Sequence, residues 1–100
     1  MTMHPKKLVV MFCEAVLEPR LIADSERLGA HGYTISDVRG GGGRGVRSAA
    51  WDADRSIRME IICDPDVADA IVAHVHDRYF NDYAMTVFTA DVGVLRPKKF

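Results

Sequence analysis

An α+β domain, with one four-stranded antiparallel sheet and two helices on one of its faces, is the fold class this sequence predicts. Three observations point there. The chain has 100 residues, enough for one domain and one core. It is 48% hydrophobic and 27% charged, the balance of an ordinary globular domain. Its apolar segments alternate between strand-like and helix-like spacing, in the order β-α-β, a long glycine–arginine loop, then β-α-β.

Each element has its own signal. Lys6 to Cys13 is a continuous apolar run of strand length. Pro19 to Ala30 reads as a helix: Pro19 suits a first turn, Leu21, Ile22 and Leu28 can share a face, and Gly29 and Gly32 stop it. Tyr33 to Arg39 is rich in strand formers. Residues 40–55 form one long, mobile loop inside the single domain 1–100, a length that usually means function or disorder. Ile57 to Cys63 alternates, with Ile57, Met59, Ile61 and Cys63 on one face and Arg58, Glu60 and Ile62 on the other. Asp64-Pro65-Asp66 is a helix start, with a cap, a proline at the first position and an acid in the first turn. Val67, Ile71, Val75 and Tyr79 then recur every four residues beside Ala68 and Val72. Met85 to Leu95 is the last strand.

This is the split βαβ, or ferredoxin-like βαββαβ, arrangement. Its helices cover one sheet face, yet the first strand is apolar on both parities: Leu8, Val10 and Phe12, and Val9, Met11 and Cys13. A strand apolar on both sides is expected to be buried on both. A closed homo-oligomer would supply the missing cover. Cys13 and Cys63 end neighbouring strands and are expected to lie near each other as buried thiols.

Composition narrows function. A net charge of −1 argues against a surface built for nucleic acid. No apolar run approaches the ~20 residues of a membrane helix, and Leu8–Cys13 is too short for a signal-peptide core. A cytoplasmic protein is expected. His74 and His76 are two apart on a helix and diverge, and His4 and His31 are scattered, so no metal site is expected. Nor is an enzyme, because no nucleophile–base pair or paired acids stand out.

Residues 40–47, GGGGRGVR, are the unusual segment. Five of the nine arginines (39, 44, 47, 55 and 58) fall in residues 39–58, against two acids, Asp52 and Asp54. Glycine lets successive N–H groups converge on an anion, and Arg44 and Arg47 add forked donors for oxyanions. The alternative is a loop that docks a protein partner or does nothing. No Walker A or Rossmann motif is present.

Residues 32–42, GYTISDVRGGG, resemble the segment that leads into the T-loop of the PII signalling family, and RMEII at 58–62 resembles the strand after it. The similarity runs over nearly the whole chain. It implies a trimer with adenine nucleotides in clefts between subunits. The chain departs from the family after the second helix, where a glycine-rich loop ending in a phosphate-binding lysine is replaced by RYFNDYAM, residues 78–85. No T-loop tyrosine is available for uridylylation. RGVRS (44–48) and FNDYA (80–84) are similar to the PII-like branch linked to inorganic carbon, the carboxysome-associated proteins and bicarbonate-transporter regulators of the carbon concentrating mechanism. A redox-responsive cysteine tail found in some relatives is absent from LRPKKF, residues 95–100.

Carried over by position, Gly40, Gly41 and Gly42 would turn past the nucleotide phosphates, and Arg44 and Arg47 would bind them. Gly32, Tyr33 and Thr34, with Glu60, Ile61 and Ile62, would line the adenine and ribose side. Arg96 or Lys98 would lie near the phosphates; the alternative for the tail basics Arg96, Lys98 and Lys99 is a solvated surface. AMP and ADP are favoured, with cyclic AMP and ATP as further candidates. Bicarbonate would bind at Gly42, Gly43 and Arg58, although Arg58 could equally pair with Glu60 or another subunit. The partner would be a bicarbonate transporter or carboxysome component. Trp51 is a partner anchor or a lid. Asp82 is a turn residue, or one that shapes the site. Tyr79, Phe80 and Tyr83 are helix-end core or a stacking platform. The rival functions are a ligand-free docking module and a divalent-cation tolerance protein of the same architecture.

Overall fold

The computed structural model describes residues 1–42, 45–46 and 55–100. In chain order the elements are β1 (His4–Glu14), α1 (Glu18–Arg27), β2 (Thr34–Val38), β3 (Gly41–Gly42), β4 (Gly45–Val46), β5 (Ser56–Cys63), α2 (Pro65–Arg78) and β6 (Thr86–Val94). The main sheet is antiparallel, in the order β2-β5-β1-β6. This is the predicted ferredoxin-like topology. The loop expected over 40–55 carries one addition, a two-residue pairing of Gly41 with Val46 and Gly42 with Gly45. Arg44, Arg47, Gly43 and Trp51 lie outside the described residues.

Both helices sit on the odd-numbered face of the sheet. Val9, Met11, Cys13, Ile57, Met59, Ile61 and Cys63 form the core with Leu17 and Leu21 before and in α1, and with Ala68, Ile71, Val75 and Tyr79 from α2 and its end. Each fully buried aliphatic side chain contributes roughly 1.5–3 kcal/mol of transfer free energy. The alternation that decides this packing is therefore a strong constraint on register.

Local chemistry sets the helix ends. A 3₁₀ turn at Ala15–Leu17 precedes α1, and the Ala15 N–H donates to the Arg55 carbonyl at 2.8 Å, tying the turn to the start of β5. α1 stops at Arg27, three residues before the predicted end. Gly29 adopts φ +112°, a left-handed value that favours glycine. Its N–H reaches the Glu26 carbonyl (3.1 Å), and the Ala30 N–H reaches that of Ser25 (2.9 Å). This crossed pair satisfies carbonyls that would otherwise be orphaned. α2 starts where expected, with Pro65 in its first turn. Asp64, however, caps by backbone position alone; its carboxylate accepts from the Lys6 ammonium of β1 at 2.5 Å.

The cysteine expectation needs correction. β1 and β5 run antiparallel, so Cys63 pairs with Lys7 and Cys13 pairs with Ile57. The two thiols lie six register positions apart, about 20 Å at the usual rise per strand residue. Both are buried, and burial pushes the Cys63 thiol up to about 11.

Candidate functional site

The even-numbered residues form the sheet's open face. Register places Thr34, Glu60, Val10 and Phe88 in one row across β2, β5, β1 and β6, and Ser36, Arg58, Phe12 and Thr86 in the next. This face mixes apolar and charged groups: Val10 is fully buried, while Phe88 is exposed. Phe12 and Phe88 stack at 6.3 Å, and the Arg58 guanidinium lies 5.4 Å from the centre of the Phe12 ring.

At the β2 side of this face is a hollow of about 380 Å³, within the size range of small-molecule sites. Its floor includes Leu8 and Ile62, and its walls include Gly32, Tyr33, Thr34 and Glu60. Five residues picked out by sequence thus meet in one place: Gly32, Tyr33, Thr34, Glu60 and Ile62. Ile61 does not join them with its side chain, which strand alternation turns into the core, where it is fully buried. Four described lining residues lie outside that set: Leu8, read as strand core, Lys99, read with the other basic residues of the tail, and His31 and Phe100, which no motif marks. His31 adjoins the GYT segment, and Phe100 adjoins the basic tail, so neighbourhood is the only signal that could have found those two.

The arrangement offers an apolar floor, an aromatic wall, the Thr34 hydroxyl and a carboxylate acceptor. Those groups suit a flat ring joined to a hydroxyl-bearing group. Glu60 is not idle: its Oε1 accepts from Arg58 Nη2 at 3.0 Å, with both side chains about one-third exposed. The Arg58–Glu60 pairing, one of the alternatives for Arg58, is therefore present. Arg96 and Lys98 line a separate, adjoining hollow of about 510 Å³ with Pro97 and Lys99. Lys99 belongs to both hollows and links them.

At the loop base, Gly41 and Gly42 have extended, paired backbone, and nothing lies within 4 Å of a Cβ added at Gly40. Of the aromatic group after α2, Tyr79 is buried and Tyr83 packs against the core, while Phe80 is exposed and stacks on His76 at 5.7 Å. Asp82 stands in a turn, its N–H donating to the Tyr79 carbonyl at 3.1 Å.

On the helix side, the Asp24 carboxylate of α1 accepts from the Tyr79 hydroxyl and lies 3.0 Å from His74 Nε2 and 3.5 Å from Arg27 Nη2. Burial raises the Asp24 pKa, but the donors from Tyr79, His74 and Arg27 outweigh it and leave the net shift downward. Tyr79 is raised, by burial first and then by the Asp24 carboxylate. This cluster joins the two helices and lies across the sheet from the hollow.

The family model for nitrogen regulatory protein P-II matches residues 6–99. A PII-like signalling protein from Thermus thermophilus is 41% identical, covers 100% of this chain and 99% of its own, and superimposes with a TM-score of 0.87. CPII, from Thiomonas intermedia K12, solved with ADP and bicarbonate, is 23% identical over 99% of this chain and 97% of its own, with a TM-score of 0.88. The same protein has also been solved with ADP, AMP and bicarbonate, at 23% identity and a TM-score of 0.86 over 99% of this chain and 96% of that one.

Proposed function

The chain belongs to the nitrogen regulatory P-II family, and from that premise we propose that it is a PII-like regulator that binds adenine nucleotides, rather than an enzyme. The observation that carries this reading is the convergence of Gly32, Tyr33, Thr34, Glu60 and Ile62 around one hollow. These are residues that the motif resemblance independently assigns to the adenine and ribose side. The binding of ADP, AMP and bicarbonate by CPII supports the choice of ligand class.

In this reading the base rests on Leu8 and Ile62 beside Tyr33, and Glu60 accepts hydrogen bonds from ribose hydroxyls. The phosphates extend toward Gly40, Gly41 and Gly42, where Arg44 and Arg47 grip them, and Arg96 or Lys98 adds charge. Residues 78–85 offer no glycine or lysine to hold a third phosphate, so AMP and ADP bind better than ATP. Bicarbonate is a second effector held by Gly42, Gly43 and Arg58; it competes with Glu60 for the guanidinium. A homotrimer covers the open sheet face and places the nucleotide between subunits. Occupancy shifts the conformations of the T-loop, residues 40–55, and a bicarbonate transporter or carboxysome component responds to that shift.

Calorimetric titration of AMP, ADP, ATP and cyclic AMP, with and without bicarbonate, tests this. Micromolar binding of AMP and ADP that bicarbonate strengthens is expected. No heat with any nucleotide would leave the loop as a protein-docking surface. Arg47→Ala is expected to weaken ADP at least tenfold, the scale of one lost charge-assisted pair, with the oligomer intact by light scattering. Unchanged affinity would remove Arg47 from the site.

A further inference from the structure

The segment after β6 contributes to the hollow in a way that neither its basic composition nor the motifs reveal. β6 ends at Val94, at the sheet edge furthest from β2. A 3₁₀ turn at Pro97–Lys99 follows, held by the Lys99 N–H on the Arg96 carbonyl (3.3 Å) and the Phe100 N–H on the Pro97 carbonyl (3.2 Å). Lys99 and Phe100 then line the same hollow as Leu8 of β1, Glu60 and Ile62 of β5, and Thr34 of β2. The chain has therefore doubled back across the open face. Phe100 is partly buried there, not splayed into solvent. Among the described residues that line the hollow, it shares the role of six-membered aromatic ring with Tyr33 alone.

We propose that Phe100 is a base-binding residue of the site, an aromatic wall that packs against the base of a bound purine nucleotide. This rests on the reading of the hollow as the adenine side. Aromatic contact with a base is sequence-tolerant and depends on the ring, not on the phosphates. Lys99, shared with the neighbouring basic hollow, has the complementary role of holding the phosphate end. The two residues divide recognition between base and phosphate. Ligands accordingly separate by class: loss of Phe100 penalises every purine ligand equally, and loss of Lys99 penalises them according to phosphate charge.

The test is calorimetry on the full chain and on Phe100→Ala, Phe100→Trp and Lys99→Gln, using adenosine, AMP, ADP and ribose 5-phosphate, with light scattering to verify assembly. Phe100→Ala is expected to weaken adenosine, AMP and ADP by a similar factor, about tenfold, and to leave ribose 5-phosphate unchanged. Phe100→Trp restores purine affinity. Lys99→Gln leaves adenosine alone and weakens ADP more than AMP. Purine binding by Phe100→Ala equal to that of the unaltered chain would overturn this inference while the proposed function stood. An equal loss of ribose 5-phosphate and purine binding would also overturn it, by showing that Phe100 merely shapes the hollow. No binding of any purine by the unaltered chain would overturn both.

Discussion

Asp24 is the residue whose surroundings most clearly set a pH response. Its pKa is lowered in the folded protein because the Tyr79 hydroxyl, His74 and Arg27 outweigh the effect of burial. The native state thus binds fewer protons at this group than the unfolded chain does. Its contribution is present above the ordinary carboxylate pKa of about 4 and is lost as pH falls through the folded value. Urea midpoints measured down the acid limb are expected to fall more steeply for the unaltered chain than for Asp24→Asn; parallel slopes would contradict this. Tyr79 behaves oppositely in direction. Its pKa is raised, so its contribution is complete below about pH 10 and is lost as pH rises through the folded value. Gly29→Ala is expected to cost about 1 kcal/mol or more. The position has φ +112°, and an added Cβ would meet Val67 Cγ2 at 3.2 Å. A melting temperature equal to that of the unaltered chain would show that the helix end relaxes freely.

At the scale of elements, all four main strands and both helices are legible in the sequence because each carries a periodic pattern that burial requires. Ile57, Met59, Ile61 and Cys63 alternate in sequence and are all buried against the helices. Ile71→Ala in α2 is accordingly expected to cost about 2–5 kcal/mol by chemical denaturation, as for other buried isoleucines. A cost below about 1 kcal/mol would mean that α2 packs loosely. Periodicity does not encode strand direction, helix ends or distant charge partners. Strand direction, not adjacency, separates Cys13 from Cys63. The end of α1 depends on a left-handed glycine two residues beyond Arg27, and the sequence offers two glycines as stops. Asp64 has the sequence of a side-chain cap, but β1 brings Lys6 to it from 58 positions away. The site is legible to a similar degree. Gly32, Tyr33, Thr34, Glu60 and Ile62, which the motif resemblance groups together, line one hollow. Ile61 follows its motif in sequence but its parity in space. Phe100 is not legible, because the path of a three-residue turn after an edge strand leaves no periodic trace.

For the whole molecule, the sheet divides the chain into a helix-covered side and an open side. Helices, core and the Asp24 cluster occupy the first. The second combines an apolar strip along β1 with the Arg58–Glu60 pair and the hollow. Among the described residues, no helix is long and apolar enough to cross a membrane. An apolar but chemically furnished face of this kind suits a binding site completed by further copies of the chain. Light scattering is expected to give the mass of three chains, and a monomer at working concentration would argue against sites between subunits. Amide hydrogen exchange with and without ADP shows whether adenine nucleotide occupies the hollow on the open face. Protection is expected in residues 31–34, 58–62 and 96–100, with the α1 and α2 amides unchanged. ADP binding with no protection in those three segments, or protection confined to the helices, would contradict it.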